Sequence, residues 1–121
     1  MDTAFILFAH GARDARWSLT LGELEARLAR RVPQARVSRA FLEFQSPDLA
    51  SACEEALAAG AQTIKIVPVF WAQGGHMASD VPPLLDHLRT AHPRASFELL
   101  PVLSELPGML DFIAETVATH E

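Results

Sequence analysis

Apolar positions along the chain switch repeatedly between two patterns. Thr3 to Ala9, Thr-Ala-Phe-Ile-Leu-Phe-Ala, is a continuous apolar run, as expected of a strand covered on both faces. From Trp17 the spacing changes: Trp17, Leu21, Leu24 and Leu28 recur every three or four residues, with Glu23, Glu25, Arg27 and Arg30 between them. This predicts an amphipathic helix with Asp14 as its N-cap. Arg36 to Leu42 reads as a second strand. Ser46-Pro47-Asp48 then supplies an N-cap, a proline at the first helical position and an acid in the first turn of a helix ending near Gly60. Thr63 to Val69 predicts a third strand, followed by a glycine-bearing loop from Trp71 to Gly75. Asp80 with Pro82 opens a helix running through Leu85 and Leu88 to about Thr90. Ser96 to Val102 predicts a fourth strand, and Leu106, Leu110, Ile113 and Val117 mark a last amphipathic helix.

Four βα units in succession imply parallel pairing with right-handed crossovers. The expected fold is α/β: a single doubly wound, three-layer domain over residues 1–121, built on a four-stranded parallel sheet. Parallel strands end on one edge, and open sheets of this kind bind ligands beyond the carboxyl ends of their strands. Function is therefore to be sought at residues 9–14, 42–47, 69–80 and 101–106.

Composition narrows the partners. Ten Lys plus Arg stand against fifteen Asp plus Glu, a formal net charge of −5, and the basic residues are scattered apart from Arg30-Arg31. This argues against a nucleic-acid surface. The longest apolar run, Ala4 to Ala9, is far short of the roughly twenty residues a membrane span needs. Met1-Asp2-Thr3 lacks a secretory start, and one cysteine cannot staple the fold, so a cytoplasmic protein is expected. A domain this short has little depth for a closed cleft, which favours a second subunit.

On the expected edge, His10 opens His10-Gly-Ala-Arg-Asp14, Glu43 follows the second strand, and His76 closes the loop Val69-Phe-Trp-Ala-Gln-Gly-Gly-His76. Two imidazoles and a carboxylate from three strands form a ligand set suited to iron, cobalt, nickel or zinc, with coordination positions left open. The same imidazoles can accept protons near neutral pH. Taken singly, each histidine reads as a hydrogen-bonded structural residue; their joint placement raises the functional reading. His87 and His92 belong at the surface, His120 in a terminal tail, and Cys53 on an apolar helix face as a thiol without chemistry. A phosphate-binding Gly-x-x-x-x-Gly-Lys, a Gly-x-Gly-x-x-Gly after the first strand and a Gly-x-Ser-x-Gly elbow are all missing from the sequence. The strand ends lack the acids of a phosphoryl-accepting receiver, and Arg13 alone is too little for a phosphohistidine enzyme.

Three segments together carry a family resemblance: His10-Gly-Ala-Arg-Asp14, Ala40-Phe-Leu-Glu43, and Val67-Pro-Val-Phe-Trp-Ala-Gln-Gly-Gly-His-Met-Ala-Ser-Asp-Val-Pro82. The chain resembles the ATP-independent, class II chelatases of tetrapyrrole biosynthesis, and more narrowly the short sirohydrochlorin chelatases that insert cobalt or iron. The resemblance implies that His10 and His76 bind metal and accept protons, with Glu43 assisting. It implies no ATP and no cofactor beyond the substrate metal, Co2+ first and Fe2+ second, with Ni2+ or Zn2+ as further ions in vitro. The implied substrate is densely carboxylated, so Arg13 and Arg16 are expected to meet its acid groups. Trp71, Gly75 and Met77 are expected to line the macrocycle. Short forms of this kind resemble half of longer, two-lobed chelatases, so a homodimer is expected. The competing reading is a dimeric metal or tetrapyrrole carrier that uses the same residues without catalysis.

Overall fold

A computed structural model describes residues 2–121, and the side chains of all of these except Ala15, His76, Met77 and Ala78. The order is β1 (Thr3–Ala9), α1 (Ala15–Arg31), β2 (Arg36–Phe41), α2 (Leu49–Ala58), β3 (Thr63–Pro68), α3 (Gly75–Ala91), β4 (Ser96–Leu99), a single 3-10 turn (Leu103–Glu105) and α4 (Met109–Ala118). The four strands form one sheet in the order β2-β1-β3-β4, every neighbouring pair parallel. The expected α/β sheet with flanking helices is thus present.

The chain steps one way from β1 to β2 and then the other way to β3 and β4. Right-handed crossovers therefore put α1 on one face and α2 with α3 on the other. The buried residues follow that division. Ala4, Ile6 and Phe8 of β1, Ala40 of β2 and Ile64 and Ile66 of β3 meet Leu49, Cys53 and Ala56 of α2 and Val81, Leu85 and Leu88 of α3. On the opposite face Leu7, Ala9 and Phe41 meet Leu21 of α1, with Leu28, Val37, Val67 and Val69 packed around them. The second core is much the smaller. No residue of α4 is buried, and that helix leans chiefly on the 3-10 turn beside it.

Several element boundaries differ from those the pattern predicts. The N-cap of α2 is Asp48, whose carboxylate accepts a bond from the Ser51 N–H (2.8 Å); Ser46 and Pro47, joined by a cis peptide, lie before the helix. The Pro47 carbonyl is already engaged, accepting from the Phe41 N–H at the end of β2 (2.9 Å). Helix α3 starts at Gly75, not at Asp80, so Pro82 and Pro83 sit inside it. Each proline withdraws one N–H from the ladder. Both are exposed, so water can take the carbonyls they leave. Strand β4 stops at Leu99, with the Leu100 N–H still bonding the Ile66 carbonyl beyond its end. Pro107-Gly108 delays α4 to Met109, with Gly108 at φ +82°. Asp14 caps α1 as expected.

Candidate functional site at the carboxyl edge of the sheet

Strands β1 and β2 remain paired beyond their formal ends. The Leu42 N–H donates to the Ala9 carbonyl (2.9 Å) and the Glu43 N–H to the His10 carbonyl (3.0 Å), and these backbone bonds bring His10 and Glu43 together. Gly11 permits this approach. Its φ is +90°, and a Cβ there would overlap the Glu43 carbonyl oxygen. His10 Nε2 lies 3.3 Å from Glu43 Oε1, with both side chains about half exposed.

The imidazole is oriented by its other nitrogen. Nδ1 lies 3.2 Å from the Gly11 carbonyl, which can only accept, so Nδ1 carries the proton. In the tautomer that carries its one proton on Nδ1, the Nε2 lone pair faces a carboxylate. Two acceptors face each other, and a cation between them, either a proton or a metal ion, satisfies both. One ion about 2.1 Å from each donor would subtend a roughly tetrahedral angle at this separation. The donor chemistry, imidazole plus carboxylate, fits the borderline divalent metals.

The loops carrying the pair are tied by a residue the sequence reading did not single out. Gln45 Oε1 accepts from the Ala12 N–H (3.0 Å), and its Nε2 donates to Ser18 Oγ (2.7 Å), linking the loop after β2 to the loop after β1 and to α1. The partners are 33 and 27 positions away, so no local signal marks it. Phe44 was missed too. It is exposed at φ +68°, rare for an aromatic residue, and Arg13 lies over its ring, 4.9 Å from guanidinium carbon to centroid.

The remaining expected residues separate. Arg16 is a two-pronged partner of Asp14, at 2.7 Å from Nη2 to Oδ2 and 3.1 Å from Nε to Oδ1, so its charge is already met locally. That bond holds the Asp14 carboxyl below its ordinary range. Trp71, in the loop after β3, is exposed. Gly75 is the first residue of α3, and a Cβ there would meet nothing, so packing does not require a glycine. The His76 and Met77 side chains lie outside the described residues. Among the described residues no group of three or more His, Cys, Asp or Glu gathers as a metal site; His10 and Glu43 stand as a pair. Cys53 is fully buried between α2 and the sheet, and desolvation, with Glu54 nearby, pushes its thiol up to about 12. It is the inert core residue expected.

His10 and the loop after β3 flank the β1/β3 boundary, where the chain reverses its direction across the sheet and ligands of such folds bind. The CbiX family model matches residues 4–120. The chain belongs to the CbiX family. Among the relatives of this CbiX chain, the sirohydrochlorin cobaltochelatase of Methanocaldococcus jannaschii is 33% identical over 74% of the chain and 62% of the relative. The one from Methanococcus aeolicus is 30% identical over 68% and 57%. The CbiX chain thus spans about three-fifths of these curated relatives. A candidate cobalamin (vitamin B12) biosynthesis CbiX protein from Marinobacter aquaeolei VT8 superposes with a TM-score of 0.79 and 28% identity, covering 98% of this chain and 96% of that one. The sirohydrochlorin chelatase SirB of Bacillus subtilis subspecies spizizenii, solved with cobalt, shares the fold at a TM-score of 0.66 and 22% identity, over 84% of this chain and 44% of SirB.

Proposed function

We propose that this CbiX chain is a sirohydrochlorin chelatase: a lyase that inserts a divalent metal, Co2+ first and Fe2+ second, into sirohydrochlorin, for cobalamin or sirohaem biosynthesis. The observation that carries the reading is the His10–Glu43 pair, an imidazole and a carboxylate held face to face on the open carboxyl edge of the sheet. The names of the relatives support the substrate and the metal.

In this reading the incoming ion is the substrate, held by His10 Nε2 and a Glu43 oxygen, with His76 as the second imidazole. A half-exposed pair leaves coordination positions open to the macrocycle nitrogens. As each pyrrole N–H breaks, its electron pair passes to the metal. The proton passes to an imidazole or carboxylate that has just released the ion. One divalent ion enters and two protons leave, so charge balances without nucleotide hydrolysis or a redox step. Imidazole suits a metal that must be let go, since thiolate binds borderline metals more tenaciously. Arg13, braced over Phe44, is the cation placed to meet a substrate carboxylate, while Arg16 is committed to Asp14. Trp71, with Gly75 and Met77, is proposed to border the macrocycle, and the working form is proposed to be a cytoplasmic homodimer.

Mixing the protein with excess sirohydrochlorin and Co2+ and following the absorption spectrum tests the activity. The expected result is conversion well beyond one equivalent per chain, faster than the uncatalysed reaction. Conversion that stops at one equivalent identifies a carrier instead.

A further inference from the structure

The hydrogen bonds beside the candidate site run in one direction through a single peptide unit. His10 Nδ1 lies 3.2 Å from the Gly11 carbonyl. On the other side of that peptide, the Ala12 N–H donates to Gln45 Oε1 (3.0 Å), and Gln45 Nε2 donates in turn to Ser18 Oγ (2.7 Å) on α1. The sense of the carboxamide is fixed by its partner. A backbone N–H only donates, so the Gln45 oxygen faces Ala12 and the nitrogen faces Ser18. Imidazole, peptide, carboxamide and hydroxyl thus form a head-to-tail row anchored on a helix.

The peptide between Gly11 and Ala12 needs such an anchor. Gly11 stands at φ +90°, where a Cβ would overlap the Glu43 carbonyl oxygen. A glycine leaves its backbone less restricted than any other residue, so Gly11 does not by itself fix the plane that follows it. Gln45 does. Half-buried between the two loops, it holds the N–H end of that plane towards α1 and so holds the carbonyl end towards His10.

That orientation decides which nitrogen of His10 is bare. With the Gly11 carbonyl in place, the proton sits on Nδ1 and the Nε2 lone pair faces Glu43 Oε1, 3.3 Å away. With the carbonyl turned aside, the proton gains more on Nε2, where it makes a charge-assisted bond to the Glu43 carboxylate. The place of a metal ion between the two groups is then filled by a proton. The row also polarises, because a carbonyl whose own amide N–H is bonded is a stronger acceptor. The bond a ligating histidine makes through its second nitrogen sets its ring and raises its donor strength.

We propose that Gln45 is a positioning residue for the metal: acting through the Gly11–Ala12 peptide, it holds His10 in the tautomer that leaves Nε2 bare towards Glu43. Its role towards the metal rests on the chelatase reading above, whereas the tautomer is read without metal or macrocycle.

Nitrogen NMR of metal-free protein with isotope-labelled histidine, at a pH where the rings are neutral, locates the proton on His10; the signal is assigned by its loss in His10→Ala. Wild type is expected mainly as the Nδ1–H form. Gln45→Met, similar in length but without either bond, is expected to shift the population towards Nε2–H. Gln45→Glu keeps an acceptor for the Ala12 N–H and offers a second oxygen to the Ser18 hydroxyl, and is expected to keep the wild-type form. Ser18→Ala should shift the ring partly and add nothing to Gln45→Met; it carries the test should Gln45→Met fail to fold. A wild type with its proton on Nε2, or an unchanged ring in Gln45→Met or Ser18→Ala, would overturn the proposal, as would a Gln45→Glu ring like that of Gln45→Met. Titration with Co2+ alone supplies a second reading: Gln45→Met should bind about ten- to a hundredfold more weakly, with Gln45→Glu near wild type. Equal affinity in wild type and Gln45→Met also overturns it. In metal insertion the loss should fall on kcat and leave KM for the macrocycle unchanged. A tautomer shift in a protein whose wild type shows no turnover counts against the chelatase reading alone, and leaves the link between Gln45 and His10 standing.

Discussion

At Gly11, one missing side chain holds two loops together. Any Cβ meets the Glu43 carbonyl oxygen, and φ at +90° is unfavourable for every L-residue. Gly11→Ala is expected to push the loop after β2 away and break the His10–Glu43 approach. A cost of about 2 kcal/mol or more in stability is predicted from strain and displacement together, and the rate of metal insertion should fall further than the lost stability accounts for. Denaturant melts and insertion kinetics on the same preparation check both; an unchanged rate would show that the pairing of the loops is immaterial. His10 and Glu43 were legible in the sequence because each follows an apolar strand and parallel strands share an edge. Gln45 was not, because its partners, the Ala12 N–H and Ser18, come close only once the sheet has formed. Phe44 was hidden for a different reason: a positive φ on an aromatic residue is set by the surrounding loop and leaves no trace in composition.

Among the elements, helix starts separate what local chemistry encodes from what tertiary bonding decides. Asp14 was readable as a cap because nothing else competes for its role. At α2 the pattern offered Ser46, but the ladder from β2 takes the Pro47 carbonyl and the cap falls to Asp48. The Ser51 N–H bonds that carboxylate and holds it below the ordinary range, first through the backbone bond. A depressed carboxyl contributes stability above its unfolded pKa and loses it as pH falls through the folded value. The contribution of Asp48 should therefore be flat from pH 7 to about 5 and fade below about 4. Asp48→Ala is expected to cost about 1 kcal/mol at pH 7, lowering the Tm by roughly 3–5 °C. The gap between variant and wild type should narrow on acidification in a pH series of melts; a gap that widened would assign the wrong sign to this group. The early start of α3 was unreadable for a complementary reason, since paired prolines imitate a helix beginning but are tolerated inside when their freed carbonyls face water.

For the molecule as a whole, the strongest sequence signals were the alternation of strand and helix and the single edge it implies. They led to the parallel sheet, the two faces and the position of the candidate site. The distribution of cover between the faces was not legible, because a helical period says which side of a helix is apolar but not what packs against it. Helix α4 has such a period and no buried residue. Net charge acts at the same scale: at −5 the chain would repel the proposed polycarboxylate substrate at long range, so under that proposal capture is expected to rest on local cations such as Arg13.

The central claim is that the imidazole of His10, held beside Glu43, handles the metal. The most direct measurement is the initial rate of Co2+ insertion into sirohydrochlorin by wild-type protein and by His10→Ala at matched concentration and fold content. The account predicts that the variant loses on the order of a hundredfold or more in kcat, with its structure intact. A variant that inserts cobalt at the wild-type rate would contradict it.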